Sequence, residues 1–160
     1  MIEILHNWIT DSEEALFLHK CRVALGEETT VKKGTGGNRS RILRYGYDYL
    51  TPRWLNEIPF WLQDLSKRIG DFDSITINEY QPGNKIEPHV DSDKFEDLIA
   101  ILSLGSSCVI RFDKEERTIK EELKPKSMLK MDGIHRTEYK HSIPPVKETR
   151  ISIVFRKRIV

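Results

Sequence analysis

Three residues of this chain have the types and spacing of a metal site. His89 and Asp91 stand two positions apart at the end of a predicted strand, so both side chains can point to the same side. His141 follows later in the chain, on another predicted strand. Two imidazoles and one carboxylate form the facial triad of non-haem Fe(II) oxygenases, which leaves open metal positions for a cosubstrate and dioxygen. The His-x-Asp motif taken alone also fits a hydrogen-bonded pair of strand residues.

The remaining histidines fit other roles. His6 and His19 lie in the N-terminal part and are interpreted as structural residues. His135 is the nearest rival of His141 as a third ligand, but it follows a strand end and a turn, so we expect it to project from a loop.

A second chemical pattern lies near the C-terminus, where Arg150, Ser152 and Arg156 fall on one face of a predicted strand. Two arginines that face a core are costly unless an anion pairs with them. A dicarboxylate would supply that anion through charge-assisted hydrogen bonds. The alternative is a surface strand whose arginines face water.

Composition limits the class of protein. The 160 residues are enough for one ordinary domain, and 38% hydrophobic with 32% charged residues is typical of a globular chain with one core. A net charge of +1 excludes a uniformly basic nucleic-acid binder, although a local basic patch is compatible with it. The absence of a long apolar run predicts no membrane span, and two cysteines with no signal-peptide pattern favour an intracellular, cytoplasmic location, or a nuclear one in a eukaryote.

The elements that must position these residues divide into two groups. Apolar spacing predicts helices over about 11–25, capped by Asp11 or Ser12 and ended at Gly26, and over about 53–69 after Pro52. From residue 74 the period changes to two, and SITINEYQPG reads as a strand followed by a turn. Further short strands are predicted at about 86–89, 98–104, 108–112, 117–123, 127–131, 141–143 and 150–157. This pattern favours a mainly β sandwich or barrel with flanking helices.

The segment between the predicted helices is basic and aromatic. Residues 29–54 hold six cationic side chains against one acid, Asp48, and they include Tyr45, Tyr47 and Tyr49. Cations interleaved with aromatic rings suit phosphate contacts and stacking on an unpaired base. A solvated loop beside a strip of core-edge aromatic residues is the alternative.

The ordered motifs resemble the AlkB-like Fe(II)/2-oxoglutarate dioxygenases, closely over residues 75–158. The sequence from Asn78 to Gly105 is especially similar to that of the AlkB homologues that hydroxylate a modified wobble uridine in tRNA. The motifs that carry the resemblance are Arg44-Tyr45-Gly46-Tyr47, Asn78-Glu79-Tyr80, Pro82-Gly83, His89-Val90-Asp91-Ser92-Asp93, Ile101-Leu102-Ser103-Leu104-Gly105-Ser106, His141-Ser142-Ile143-Pro144 and Arg150-Ile151-Ser152-Ile153-Val154-Phe155-Arg156.

The resemblance implies a fold and a set of residue roles. The implied fold is the double-stranded β-helix, a cupin-like jelly roll, in one domain over 1–160, with helical support and a nucleotide-recognition lid over 1–73 and the β core over 74–160. His89, Asp91 and His141 would bind iron. Arg150 would pair with the distal carboxylate of 2-oxoglutarate, and the rest of the cosubstrate site would comprise Asn78, Tyr80, Ser152 and Arg156. Arg44, Tyr45, Tyr47 and Asp93 would contact the substrate.

The implied enzyme is a monomeric dioxygenase that uses Fe(II), 2-oxoglutarate and dioxygen to demethylate or hydroxylate modified bases in DNA or RNA, in repair or RNA modification. Two alternatives stay open: the same chemistry on a protein or a small molecule, and a noncatalytic binding module that keeps the fold. The basic aromatic lid favours a nucleic acid, and the complete set of iron and cosubstrate residues disfavours the binding module. No role at a membrane is expected.

Overall fold

A computed structural model describes all residues 1–160, which form two antiparallel β-sheets and three helices. The helices are α1 (Asp11–Glu27), α2 (Phe60–Lys67) and α3 (Ile134–Thr137). The N-terminal strands are β1 (Ile2–Leu5), β2 (Lys32–Lys33), β3 (Arg41–Asp48) and β4 (Arg53–Trp54). The others are β5 (Ser74–Tyr80), β6 (Ile86–His89), β7 (Ile99–Leu104), β8 (Cys108–Lys114), β9 (Arg117–Leu123), β10 (Met128–Met131), β11 (Lys140–Ile143) and β12 (Arg150–Arg156).

The larger sheet has eight strands in the order β1-β10-β7-β12-β5-β3-β2, with β4 paired to β3, and the smaller sheet has the order β6-β11-β8-β9. Strand β12 lies in the middle of the larger sheet, between β5 and β7. Its residues from Arg150 to Phe155 are all buried, because both faces of this sheet are covered. The alternative of a surface strand with Arg150 in water is therefore wrong.

The two faces of the larger sheet pack into separate cores. One face packs against α1 and α2 through residues such as Phe17, Leu62 and Ile153. The other face meets the smaller sheet, where Val154 packs in a cluster with Phe112 and Ile143. This two-layer arrangement of antiparallel strands is the predicted jelly roll.

All eight strands predicted after residue 73 are present, with bounds close to those expected. The expected division of the chain at residue 73 needs correction, because β1 and β3 pair within the same sheet as β5 and β12. The sequence interpretation assigned no strand to residues 2–5 or 32–33. The N-terminal segment therefore builds part of the β framework and does not only support it.

The first helix differs slightly from its predicted bounds. Its N-cap is Thr10, whose Oγ1 accepts a hydrogen bond from Glu13 N at 3.1 Å, while Glu13 Oε1 accepts one from Thr10 N. This reciprocal capping box replaces the predicted caps Asp11 and Ser12. At the other end, Gly26 lies inside the helix, which continues to Glu27.

The second helix is much shorter than predicted. It begins at Phe60, directly after Pro59. Proline disfavours helical backbone at the residue before it, which stops the apolar period of 53–59 from forming helix. Residues 53–54 instead form β4 against the end of β3. None of the three helices is long and apolar enough to cross a bilayer.

A partly buried ion pair joins the N-terminal strand β3 to the core strand β5. Arg41 Nη2 lies 2.7 Å from Glu79 Oε2, and these residues are directly opposite in the strand register. The hydrogen bonds from Arg41 hold the pKa of Glu79 below its ordinary value of 4.5, although burial of the carboxyl acts in the opposite direction. This pair therefore helps to fix β3 against β5.

Candidate active site

His89, Asp91 and His141 converge at one end of the smaller sheet. Strands β6 and β11 pair so that His89 and His141 are cross-strand partners, and Asp91 follows two residues after β6. Asp91 Oδ1 lies 3.2 Å from His89 Nε2 and 3.4 Å from His141 Nε2. The three potential ligand atoms lie within 4.8 Å of one another. This is the predicted cluster, brought together by strand register and one short loop.

The imidazoles are oriented for metal binding. His89 Nδ1 lies 2.8 Å from the Glu87 carbonyl oxygen, which favours the tautomer with the proton on Nδ1 and leaves Nε2 free as a ligand. Burial lowers the pKa of His141, although Asp91 acts in the opposite direction. A neutral imidazole is the form that binds a metal.

Two arginines hold Asp91. Arg156 Nε donates a hydrogen bond of 2.6 Å to Asp91 Oδ2. Burial alone would raise the pKa of Asp91, but the Arg156 charge and the adjacent His141 and His89 side chains hold it well below its ordinary value. Asp91 is therefore a carboxylate at neutral pH.

The second arginine is Arg136, on α3. Its buried guanidinium donates hydrogen bonds to the backbone carbonyl oxygens of Asp91, Ser92 and Phe95, at 3.0, 2.7 and 3.3 Å. The loop that carries Asp91 is thereby fixed to α3. The sequence interpretation gave Arg136 no role, because nothing in its local pattern indicates a contact with a loop more than forty residues earlier.

The rival ligand His135 does not join the cluster. It lies on the short helix α3, not on the expected loop, and its ring stacks near Tyr139, with 5.1 Å between the ring centroids. The metal-ligand cluster contains His141 and not His135.

A cavity of about 290 Å³ opens beside the His-Asp-His cluster. The residues Asn78, Tyr80, Ser152 and Arg156, to which the resemblance gives cosubstrate roles, line it. Its wall comprises Asn38, Arg39, Arg44, Tyr47, Asp48, Tyr49, Ser74, Thr76, Asn78, Tyr80, Ile86, Glu87, Pro88, His89, Val90, Asp91, Ser92, Phe95, Ile101, Ile110, His141, Ile143, Ser152, Val154 and Arg156.

Arg150 does not line this cavity but lies behind it. Its Cζ is 5.2 Å from the centroid of the Tyr80 ring, and its Nη2 donates a hydrogen bond to Ser103 Oγ at 2.9 Å. The residue is fully buried, and its Nε and Nη1 have no hydrogen-bond partner. Buried donors without partners are costly. The free Nε and Nη1 donors of Arg150 could bond to a carboxylate ligand, and so could the neighbouring Tyr80 hydroxyl.

The predicted substrate residues separate into two groups. Arg44 and Tyr47 line the cavity, as expected. Tyr45 instead belongs to the core beneath the larger sheet, where it is 3% exposed and where burial raises its pKa to about 12. Asp93 is exposed on the loop after the cluster and is not part of the cavity wall. Tyr45 and Asp93, which were predicted to contact the substrate, therefore lie outside the cavity wall.

The reason for the position of Tyr45 is an irregularity at Gly46. This residue has φ of +76°, and a Cβ at its position would lie 2.1 Å from the Asp73 carbonyl oxygen. The irregularity breaks the alternation of β3, so Arg44 and Tyr47 face the cavity although they are three positions apart. A regular strand would have placed Tyr45 and Tyr47 on the same face.

Arg39 is a charged residue of the cavity wall that was not among the predicted site residues. Arg39 precedes β3, and its Nη1 donates a hydrogen bond of 3.0 Å to Asn78 Oδ1. Desolvation lowers the pKa of Arg39, and no carboxylate lies within ion-pair distance of it. Its place in the basic segment 29–54 was the available signal, but the sequence does not distinguish it from the other cations there.

Comparisons with known proteins show the family to which the chain belongs. Residues 2–156 match the family model described as the 2OG-Fe(II) oxygenase superfamily. The chain is also 32% identical to the uncharacterized protein L905 of Acanthamoeba polyphaga mimivirus, over 98% of this chain and 84% of that protein. The chain belongs to the 2OG-Fe(II) oxygenase superfamily.

The chain is also similar to parts of two ALKBH8 proteins. It is 42% identical to the tRNA (carboxymethyluridine(34)-5-O)-methyltransferase alkbh8 of Xenopus tropicalis, over 48% of this chain but only 13% of that protein. It is 28% identical to the alkylated DNA repair protein ALKBH8 homolog of Arabidopsis thaliana, over 71% of this chain and 44% of that protein. The chain thus spans less than half of these two relatives.

Solved structures agree on the fold. The structure of OsALKBH1 superposes with a TM-score of 0.78 at 12% identity, covering 98% of this chain and 97% of that one. A Pseudomonas putida prolyl-4-hydroxylase superposes with a TM-score of 0.70 at 14% identity, covering 99% and 92%. The protein is a 2OG-Fe(II) oxygenase with a jelly-roll fold, and its family uses Fe(II), 2-oxoglutarate and dioxygen.

Proposed function

We propose that this dioxygenase oxidises modified or alkylated bases in single-stranded DNA or RNA, including tRNA, by demethylation or hydroxylation. The observation that carries the proposal is the chemistry of the cavity wall, where arginines without acidic partners lie among aromatic rings. The names of the relatives from Xenopus and Arabidopsis, which refer to tRNA and to alkylated DNA, support a nucleic-acid substrate.

Two arginines of the cavity wall have no carboxylate partner. Each carboxylate on its wall is satisfied: Asp91 by Arg156, Glu87 by Lys85, and Asp48 by the Thr51 hydroxyl and the Leu50 amide. The two wall cations Arg39 and Arg44 have no carboxylate within ion-pair distance. They can therefore take an anionic ligand, and a phosphate of nucleic acid is such a ligand.

Aromatic rings line the same cavity. The rings of Tyr49 and Phe95 meet edge to face at 5.4 Å, and Tyr47 meets Phe95 at 6.4 Å. Rings fixed by such contacts offer flat surfaces to a base that has left its stack. Arginines for phosphates and rings for bases are the usual combination in sites for unpaired nucleotides.

We assign His89, Asp91 and His141 as the iron ligands, through both Nε2 atoms and a carboxylate oxygen. When bound, iron and 2-oxoglutarate supply the oxidising chemistry with dioxygen. Arg150 would anchor the distal carboxylate of 2-oxoglutarate with its unpaired donors. Asn78, Tyr80, Ser152 and Arg156 would complete that site. Arg44, Tyr47 and Tyr49 would orient the base.

The cavity and cluster are formed within a single chain, which supports activity as a monomer. Both cysteines are free and buried, which supports an intracellular location.

The test is product analysis by mass spectrometry of nucleosides. The protein is incubated with Fe(II), 2-oxoglutarate and dioxygen, in parallel with tRNA and with methylated single-stranded DNA. We expect loss of a modified nucleoside, or its conversion to a hydroxylated form, in at least one nucleic acid. The Asp91→Ala variant is the control and should give no change. Cosubstrate turnover that only peptides or small molecules stimulate would contradict the proposal.

A further inference from the structure

The aromatic rings of the cavity continue outward onto the surface. Tyr47 lines the cavity, and its cross-strand partner is Trp54 on β4. The guanidinium of Arg158 lies over both rings, with its Cζ 5.3 Å from the centroid of Tyr47 and 6.0 Å from that of Trp54. Tyr47, Arg158 and Trp54 thus form a continuous stack from the cavity to solvent, which we call the outer stack.

The outer stack is held in place from below. Arg158 Nε lies 3.0 Å from Asp73 Oδ2, and the Arg158 backbone amide donates to Asp73 Oδ1 at 2.9 Å. The backbone of Arg158 also bridges to that of Phe95, a cavity residue. The arginine is therefore positioned before any ligand arrives, so little conformational entropy is lost when a ligand stacks on it.

The outer end of the stack is open to solvent. Trp54 is 44% exposed, although it belongs to a short strand fixed between β3 and Arg158. Tryptophan and arginine both offer flat faces on which a base can stack without regard to its identity. A half-exposed tryptophan next to a cation is hence suited to a base whose phosphate lies beside it.

We propose that the outer stack binds the nucleotide adjacent to the one in the cavity. This inference rests on the proposed function, because it assumes a single-stranded nucleic acid in the active site. Trp54 would stack on the neighbouring base, and Arg158 would contact it and its phosphate. The stack would contribute affinity for strands of two or more nucleotides, without selecting their sequence.

The experiment measures binding of unmodified single-stranded DNA and RNA oligonucleotides by fluorescence anisotropy. The protein carries Mn(II) and 2-oxoglutarate, and dioxygen is excluded. Trp54→Ala is expected to weaken binding of hexanucleotides about tenfold, which is within the range for loss of one stacked base. Trp54→Phe keeps a ring and should retain most of the affinity. Arg158→Lys keeps the charge but loses the flat face, so it should fall between them.

The control is Phe60→Ala, which removes a side chain that is 78% exposed at the start of α2, outside the cavity wall. It should bind oligonucleotides like the parent. Calorimetry should show that Trp54→Ala keeps the parent affinity for 2-oxoglutarate, since Trp54 is not a cavity residue.

The outcomes distinguish this inference from the proposed function. If the parent binds oligonucleotides and Trp54→Ala binds them equally well, the outer stack is not a binding site, while the proposed function stands. If the parent binds no nucleic acid of any length, both fall. If Trp54→Ala and Phe60→Ala weaken binding equally, the effect is a nonspecific loss of surface aromatic residues, and the outer stack is again refuted.

Discussion

Replacement of Arg150 by Met should remove cosubstrate binding while leaving the fold almost equally stable. The Arg150 guanidinium is fully buried, makes one hydrogen bond to Ser103 and lies over the Tyr80 ring. Its two donors without partners are the feature that the change exploits. Met has a similar length and is apolar, so it can occupy the same space without needing a partner.

The opposing contributions to stability nearly cancel. Removal of two unpaired buried donors should recover about 2–6 kcal/mol in total. Loss of the charged hydrogen bond to Ser103 should cost about 1.5–3 kcal/mol, and loss of the cation–π contact with Tyr80 up to about 2 kcal/mol. The middle of the gain is about 4 kcal/mol and the middle of the combined losses about 3 kcal/mol. We therefore expect the free energy of unfolding to change by about 1–2 kcal/mol, which is a shift in Tm below about 8 °C for a chain of this size.

Cosubstrate binding should change far more. Removing one partner of a buried ion pair costs about 3–5 kcal/mol, which corresponds to a hundredfold to several-thousandfold loss of affinity. Arg150→Lys keeps the charge without the planar fork, so it should restore part of the affinity.

Two measurements test whether Arg150→Met affects cosubstrate affinity but not stability. The first is calorimetric titration with 2-oxoglutarate, in the presence of Mn(II) and without oxygen. The second is thermal unfolding of the same samples. Arg53→Met is a matched control on an exposed arginine of β4 and should change neither quantity appreciably. Undiminished affinity in Arg150→Met would show that Arg150 is not the anchor. A fall in Tm well beyond 8 °C would show that the balance of buried polar contacts is wrongly assigned.

Further variants address the metal site and the framework. Asp91→Ala should weaken Mn(II) binding, measured by paramagnetic resonance, at least about a hundredfold. His141→Ala should lose cosubstrate turnover, whereas His135→Ala should keep it. The reverse result would show that His135 is the third ligand. Arg136→Ala, which frees the loop of Asp91, should weaken Mn(II) binding about tenfold to a hundredfold, with partial rescue by Lys; unchanged affinity would exclude a positioning role. The pKa of Glu79 is depressed in the folded protein, so its stabilising charge is present above pH 4.5 and is lost as the pH falls through the depressed value. The parent should therefore be more stable than Glu79→Gln in urea unfolding, and this difference should shrink below pH 4.5. A difference that does not depend on pH would contradict this.

The sequence predicted most of the β core because its strands alternate regularly and turn residues separate them. It also predicted the His-Asp-His cluster, since strand alternation and the ordered motifs agree there. The N-terminal part was less predictable. Pro59 cuts the second helix short, and β1 pairs with the distant β10, a contact that no local pattern indicates.

At the cavity, single backbone features decided which residues face the ligand. Because Gly46 has a positive φ, the side chains around it do not alternate regularly between the two faces of β3. Tyr45 therefore enters the core, while Arg44 and Tyr47 reach the cavity. Arg39 and Arg136 act across long sequence separations, so their contacts become visible only in three dimensions. Regular periodicity cannot reveal either effect.

The hydrogen bond from Arg156 to Asp91 adds a protein link between the metal cluster and the cosubstrate site. Asp91 belongs to the metal cluster, while Arg156 lines the part of the cavity assigned to 2-oxoglutarate. Any ligand that changes the position or charge of one partner changes the environment of the other. Thermodynamic linkage then requires reciprocity: whatever factor the metal adds to the affinity for 2-oxoglutarate, 2-oxoglutarate adds to the affinity for the metal. If that factor exceeds one, a shortage of either ligand lowers the occupancy of the other.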